Sequence, residues 1–175
     1  TAVEADENLQ DIIITEIKDG VLKIYSDKNI WKAKARKVYV TLETLEGISA
    51  TSGSDVYTRG TLKVNDIAIS STSGADIRMS LDANSVTSSA TSGSDIEISG
   101  TSNNHTSSAT SGASIDAYGL RSKNVTVRVS SGADINIYAS ESIAAKASSG
   151  GDIDFKGSPK NVTKKSNSGG SISAK

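Results

Sequence analysis

Two tyrosines, Tyr118 and Tyr138, each stand six residues after the glycine of a repeated phrase, with Asp116 two residues before the first and Asn136 two before the second. Two aromatic rings on adjacent repeats, flanked by a carboxylate and an amide, suit contact with a sugar or a peptide. The ring supplies apolar area and the polar neighbours supply direction. The same pair also fits plain cross-strand packing. A second set of residues with chemistry is acidic: Asp95, Glu97, Asp116, Asp152 and Asp154. Two carboxylates at a suitable separation suffice for glycoside hydrolysis, and an Asp group with Ca²⁺ and a base would suit a lyase. The repeats that carry these acids are short and uniform and leave no room for the long excursions that build a substrate cleft. An enzyme is therefore the last of the readings kept.

The other candidates read as scaffold. Asp55, Asp76, Asp95, Asp134 and Asp152 form a column that resembles a calcium ladder. The nine-residue Gly-Gly-x-Gly-x-Asp repeat of calcium β-rolls is missing, however. Each Asp is expected to accept hydrogen bonds from backbone N–H groups at a corner. Ser52, Ser73, Ser92, Ser111, Ser131, Ser149 and Ser168 precede the repeat glycines, and counting offsets from Gly points them inward as a hydroxyl ladder. His105, the sole histidine, shares its offset with Ile67, Val86, Val125 and Ile143, so it is expected in the core with its nitrogens locally partnered. No nucleophile and orienting acid accompany it. Outward hydroxyls pair on four repeats, Ser49/Thr51, Ser70/Thr72, Ser89/Thr91 and Ser108/Thr110. An ice-binding face uses such ranks, but Arg128, Lys146 and Lys165 break the first of them. The Asn-x-Thr triplets at Asn104, Asn124 and Asn161 matter only in a glycosylating pathway. No catalytic residue, metal site or cofactor is expected.

The element that must position these residues is the phrase Ser-Gly-small-Asp/Ser-Ile/Val. It occurs seven times, with glycines at 53, 74, 93, 112, 132, 150 and 169, spaced 21, 19, 19, 20, 18 and 19 residues. A fixed period near 20 marks a solenoid, in which each repeat buries its apolar face against its neighbours. Three residues after Gly stand Val56, Ile77, Ile96, Ile115, Ile135, Ile153 and Ile172. Five after stand Thr58, Met79, Ile98, Ala117, Ile137, Phe155 and Ala174. Odd offsets are apolar or small and even offsets polar, the period-two signature of strands with one buried face. A strand, a sharp corner, a second strand and a loop in about 19–20 residues make one coil of an all-β, single-stranded parallel β-helix. The crossover preference makes it right-handed. Gly60, Gly100, Gly119 and Gly157 punctuate a second corner, with Pro159 in such a loop.

The chain is expected to form one domain, with residues 1–37 as an N-terminal cap and 38–175 as coils. Ile12–Ile17 and Val21–Tyr25 flank Lys18-Asp19-Gly20, a hairpin signal, and such a hairpin would cover the edge of the first coil. Trp31, in the connection, is read as a packing anchor. Charges nearly cancel (net −1), which gives no reason to expect a nucleic acid or an anionic membrane as partner. No apolar run is long enough to insert in a bilayer. With no cysteine, there is no disulfide framework. The chain begins Thr1-Ala2-Val3 and reads as mature or trimmed, with any signal peptide or lipoprotein signal outside it.

Together these residues resemble the putative auto-transporter adhesin head domain family, also called head GIN. The likeness rests on Val3-Glu4-Ala5-Asp6-Glu7-Asn8-Leu9, Asp19-Gly20-Val21-Leu22-Lys23-Ile24, Val38-Tyr39-Val40-Thr41, the repeated Ser-Gly-x-Asp-Ile and the closing Ser168-Gly169-Gly170-Ser171-Ile172. It implies an exported bacterial β-helix at the cell surface or in the periplasm, with no shared catalytic motif. The expected function is a non-enzymatic adhesin-like module that displays Tyr118, Tyr138, Asp116 and Asn136 to a glycan or protein. The alternatives are a structural, self-assembling envelope protein forming homo-oligomers and, after it, a polysaccharide-acting enzyme.

Overall fold

The computed structural model describes residues 1–6, 9, 11–28, 30 and 36–175. Trp31 lies outside the described residues, as do Glu7 and Asn8 of the opening phrase. Contacts gather the chain into two units, Thr1–Glu43 and Thr44–Lys175.

The first unit contains β1 (Ala2–Ala5), β2 (Ile13–Lys18), β3 (Val21–Ser26) and β4 (Arg36–Tyr39). β2 and β3 form the expected hairpin. Its turn residues Asp19 and Gly20 both have positive φ, 52° and 77°, as a type I′ turn requires to match the strand twist. β1 pairs antiparallel with β4, with Val3 opposite Val38. Val38 thus belongs to a two-stranded ribbon, and the parallel sheet starts later, at Gly47.

The second unit is a parallel β-solenoid of about seven turns. Its strands are β5 (Gly47–Thr51), β6 (Asp55–Thr72), β7 (Asp76–Thr91), β8 (Asp95–Thr110), β9 (Ser114–Val129), β10 (Asp134–Ala147), β11 (Asp152–Lys156), β12 (Asn161–Ser166) and β13 (Ser171–Ala174). Ile77, Ile96, Ile115, Ile135 and Ile153 stack in register, each at most 1% exposed. Burying one such side chain contributes about 1.5–3 kcal/mol. The ladder thus couples every coil to the next, and no coil is stable without its neighbours.

Several coils are simpler than the expected strand–corner–strand–loop, which the coil of β11 and β12 retains, its two strands parted at residues 157–160. β7, β8 and β9 each run 16 residues unbroken between consecutive Ser-Gly corners. The second bend lies within the ladder and shows as register shifts between Tyr57 and Thr61, Glu97 and Ser99, and Ile137 and Ala139. Gly100 makes that bend with φ 112°, and a Cβ there would fall 1.8 Å from the Leu81 carbonyl oxygen. Only glycine fits.

The Ser-Gly corner corrects the inward serine ladder. Ser52, Ser73, Ser92, Ser111, Ser131, Ser149 and Ser168 are all exposed and all left-handed, with φ between 48° and 57°. Each Ser and its Gly are the two positive-φ residues of a type I′ turn, closed at the first corner by Ser54 N–H to Thr51 C=O at 3.3 Å. Two left-handed residues in succession break the parity of the strand, so counting through them assigns the serine to the wrong side. The ladder they build is of backbone: Gly53 N–H donates to Ser73 C=O at 3.2 Å, Gly74 to Ser92 at 3.3 Å and Gly93 to Ser111 at 3.2 Å.

Candidate functional site

Outward side chains of the strand leading out of each corner form two ranks. The nearer rank, in register, is Tyr57, Arg78, Glu97, Asp116, Asn136, Asp154 and Ser173. Asn136 therefore sits between Asp116 and Asp154 on neighbouring coils, about 4.8 Å from each along the stacking direction. Two residues further on stand Tyr118, Tyr138 and Lys156, and Tyr138 is opposite Lys156 in the ladder. All four residues singled out in the sequence meet on one face.

A bulge shapes this meeting. Between the pairs Ile137↔Ala117 and Ala139↔Ser122, the four residues Tyr118–Arg121 of β9 oppose Tyr138 alone on β10. An excess on one strand bends it and re-aims its side chains. Arg121 is carried over the Tyr138 ring, its Cζ 4.4 Å from the centroid, and Lys156 reaches the Tyr118 ring at 4.1 Å. Cation–π contacts of this kind contribute about 0.5–1 kcal/mol at exposed sites. Both tyrosines are half-exposed, and each ring is capped by a cation. The Asp116 carboxylate is held by the Tyr118 N–H, which donates to its Oδ1 at 3.1 Å. Burial, followed by the charges of Asp154 and Asp116, raises the Tyr118 hydroxyl above its ordinary pKa.

The acids weighed for catalysis have other engagements. Glu97 Oε2 is 3.1 Å from Arg78 Nε, Asp154 Oδ2 is 3.1 Å from Lys175 Nζ, and Asp116 serves Tyr118. Asp95 and Asp152 stay in the exposed Asp column. That column is in register as expected, yet none of its carboxylates caps a corner. The left-handed turn sends the Gly N–H to the next coil and the following N–H back to the preceding strand. Where a serine follows the glycine, at Ser54 and Ser94, its hydroxyl caps the corner: Ser94 Oγ accepts the Thr91 N–H at 3.2 Å and donates to Ser71 C=O at 2.8 Å. Among the described residues no three His, Asp or Glu side chains converge as a metal site.

His105 is core, 1% exposed, as its offset predicts. Nε2 meets Ser88 Oγ at 2.9 Å, but Nδ1 has no partner, so only one of its nitrogens is satisfied. Lys156, at the same offset as the two tyrosines, was legible in the repeat. Arg121 was not, because it arrives by the bulge.

Residues 2–159 match the family model described as putative auto-transporter adhesin, head GIN domain. The crystal structure of a putative adhesin from Bacteroides fragilis NCTC 9343 aligns with a TM-score of 0.90 and 26% identity over 97% of this chain and 79% of that one. A putative lipid binding protein from Parabacteroides distasonis ATCC 8503 gives 0.75 and 20% over 99% and 82%. A putative adhesin from Parabacteroides merdae ATCC 43184 gives 0.79 and 16% over 99% and 82%. The two Parabacteroides structures share the fold at identities too low to carry more. No curated protein matches.

Proposed function

The chain belongs to the putative auto-transporter adhesin, head GIN domain family, and on that premise we propose that it is an exported, non-enzymatic module that binds a glycan or protein at the cell surface or in the periplasm through Tyr118, Tyr138, Asp116 and Asn136. The observation that carries this reading is the pair of capped rings. Arg121 and Lys156, at 4.4 and 4.1 Å, hold Tyr138 and Tyr118 in place before any ligand arrives. Rings already ordered lose little conformational freedom on binding, and preorganisation of that kind raises affinity without added contact area. With one face covered, each ring offers its edge and hydroxyl, while Asn136 offers both donor and acceptor. Asp116 keeps lone pairs beyond the one used by the Tyr118 N–H. The set suits hydroxyl-rich or amide-bearing ligands.

The test is a screen of glycans and polysaccharides against the purified chain, with and without Ca²⁺, reading binding and product release together. Binding without cleavage supports the proposal, and cleavage that falls on substitution of Asp95, Glu97 or Asp116 replaces it with an enzyme. A mass that climbs with concentration while no ligand binds favours a self-assembling envelope protein.

A further inference from the structure

The strand leading into each corner carries an outward rank on the other side of the coil: Ser49, Ser70, Ser89, Ser108, Arg128, Lys146, Lys165. Its last three members are cations stacked on consecutive coils, all exposed. Like charges directly opposite one another destabilise a sheet, and a neighbouring acid normally relieves them. None is present. Arg78 and Lys175 have carboxylates, and Arg121, Lys156 and Lys164 have aromatic rings, whereas Arg128, Lys146 and Lys165 have neither. The flanking positions are small or uncharged polar: Thr126, Ala144 and Thr163 on one side, Ser130, Ser148 and Asn167 on the other. A shallow hollow of about 270 Å³ runs past Ser108, Arg128, Ser130, Lys146 and Ser148.

From this geometry we infer that Arg128, Lys146 and Lys165 form a second binding site, separate from the tyrosine face, for a linear acidic polysaccharide bearing carboxylate or sulfate groups. Three charges at the coil spacing of about 4.8 Å match a polymer with one anion per sugar laid along the stack, and the hydroxyls beside them match its ring hydroxyls. The rank lacks what other polyanions call for. Single-stranded nucleic acid is held by aromatic platforms on which bases stack, and the flanking ranks contain no aromatic residue. Anionic membranes are recognised by clusters of about four to eight basic residues, and this ladder has three.

The experiment titrates the purified chain with dextran sulfate and polygalacturonate, using uncharged dextran as the control. Three neutralised charges, at a slope of roughly 0.7–0.9 each, weaken binding about 20- to 40-fold between 50 and 200 mM salt. The variant Arg128→Ser/Lys146→Ser/Lys165→Ser continues the serines of the preceding coils and, by removing the like-charge repulsion, should keep or raise the thermal midpoint. It should lose the binding and its salt dependence, while Arg128→Lys retains both and Tyr118→Ala/Tyr138→Ala leaves them unchanged. Equal binding by the triple-serine variant, or none by the unaltered chain, overturns the inference. So does equal affinity, through the same three residues, for an oligothymidylate or for phosphatidylglycerol vesicles, which would make the site a general polyanion contact.

Discussion

His105 Nε2 lies 2.9 Å from Ser88 Oγ in the core of the solenoid, while Nδ1 of the same ring has no partner. The Ser88 hydroxyl donates to Ser107 Oγ at 3.0 Å, so Nε2 carries the ring proton and donates to Ser88. Nδ1 is left as a buried, empty acceptor. Such a group costs about 1–3 kcal/mol.

Burial lowers the His105 pKa from 6.5 to about 4. The unfolded chain therefore takes up a proton at a higher pH than the folded one. Stability is complete above about pH 6.5, declines as pH falls toward 4, and loses nothing further to this group below that. The total is on the order of 3 kcal/mol. Urea unfolding between pH 7 and 4 should show the decline. His105→Val, which continues Val86 and Val125 of the adjoining coils, should raise stability at pH 7 and flatten the part of the profile due to histidine. An unchanged profile contradicts the assignment.

The two glycine classes should separate cleanly. Gly100→Ala drives a Cβ to within 1.8 Å of a backbone oxygen at φ 112° and should cost more than about 4 kcal/mol or prevent folding. Gly93→Ala meets nothing within 4 Å and incurs only the left-handed penalty, about 1–2 kcal/mol. Denaturant midpoints at constant m-value decide between them.

At the corner, Ser92 and Ser94 should respond oppositely. Ser92 is exposed with φ 57°, so Ser92→Gly relieves strain and is expected to be neutral or to stabilise by up to about 1 kcal/mol. Ser94 is fully buried, with both bonds of its hydroxyl made inside the protein. Ser94→Ala orphans the Thr91 N–H and the Ser71 carbonyl and should destabilise by about 1–3 kcal/mol. Equal effects would restore the inward serine ladder.

These pairs also show where sequence reading succeeds. The Ile77–Ile153 ladder and the depth of His105 follow from period-two counting, because between corners the strand is regular. The count fails across Ser-Gly, where two left-handed residues consume positions without alternating sides. It fails again at Tyr118–Arg121, where the bulge delivers Arg121 onto a ring it does not neighbour in register. Val38 misleads for another reason, since alternation fits an antiparallel ribbon with Val3 as well as a parallel coil. The polar side of the candidate site was legible, and the cations that cap its rings were only half so.

The most direct measurement is the affinity of the chain for the strongest ligand of the glycan and protein screen, compared with that of Tyr118→Ala/Tyr138→Ala. Buried aromatic anchors each contribute more than about 1 kcal/mol to an interface. A loss of about tenfold or more is expected, with the thermal midpoint lowered by no more than a few degrees. Full affinity in the double variant would place the ligand elsewhere on the solenoid and contradict the central claim.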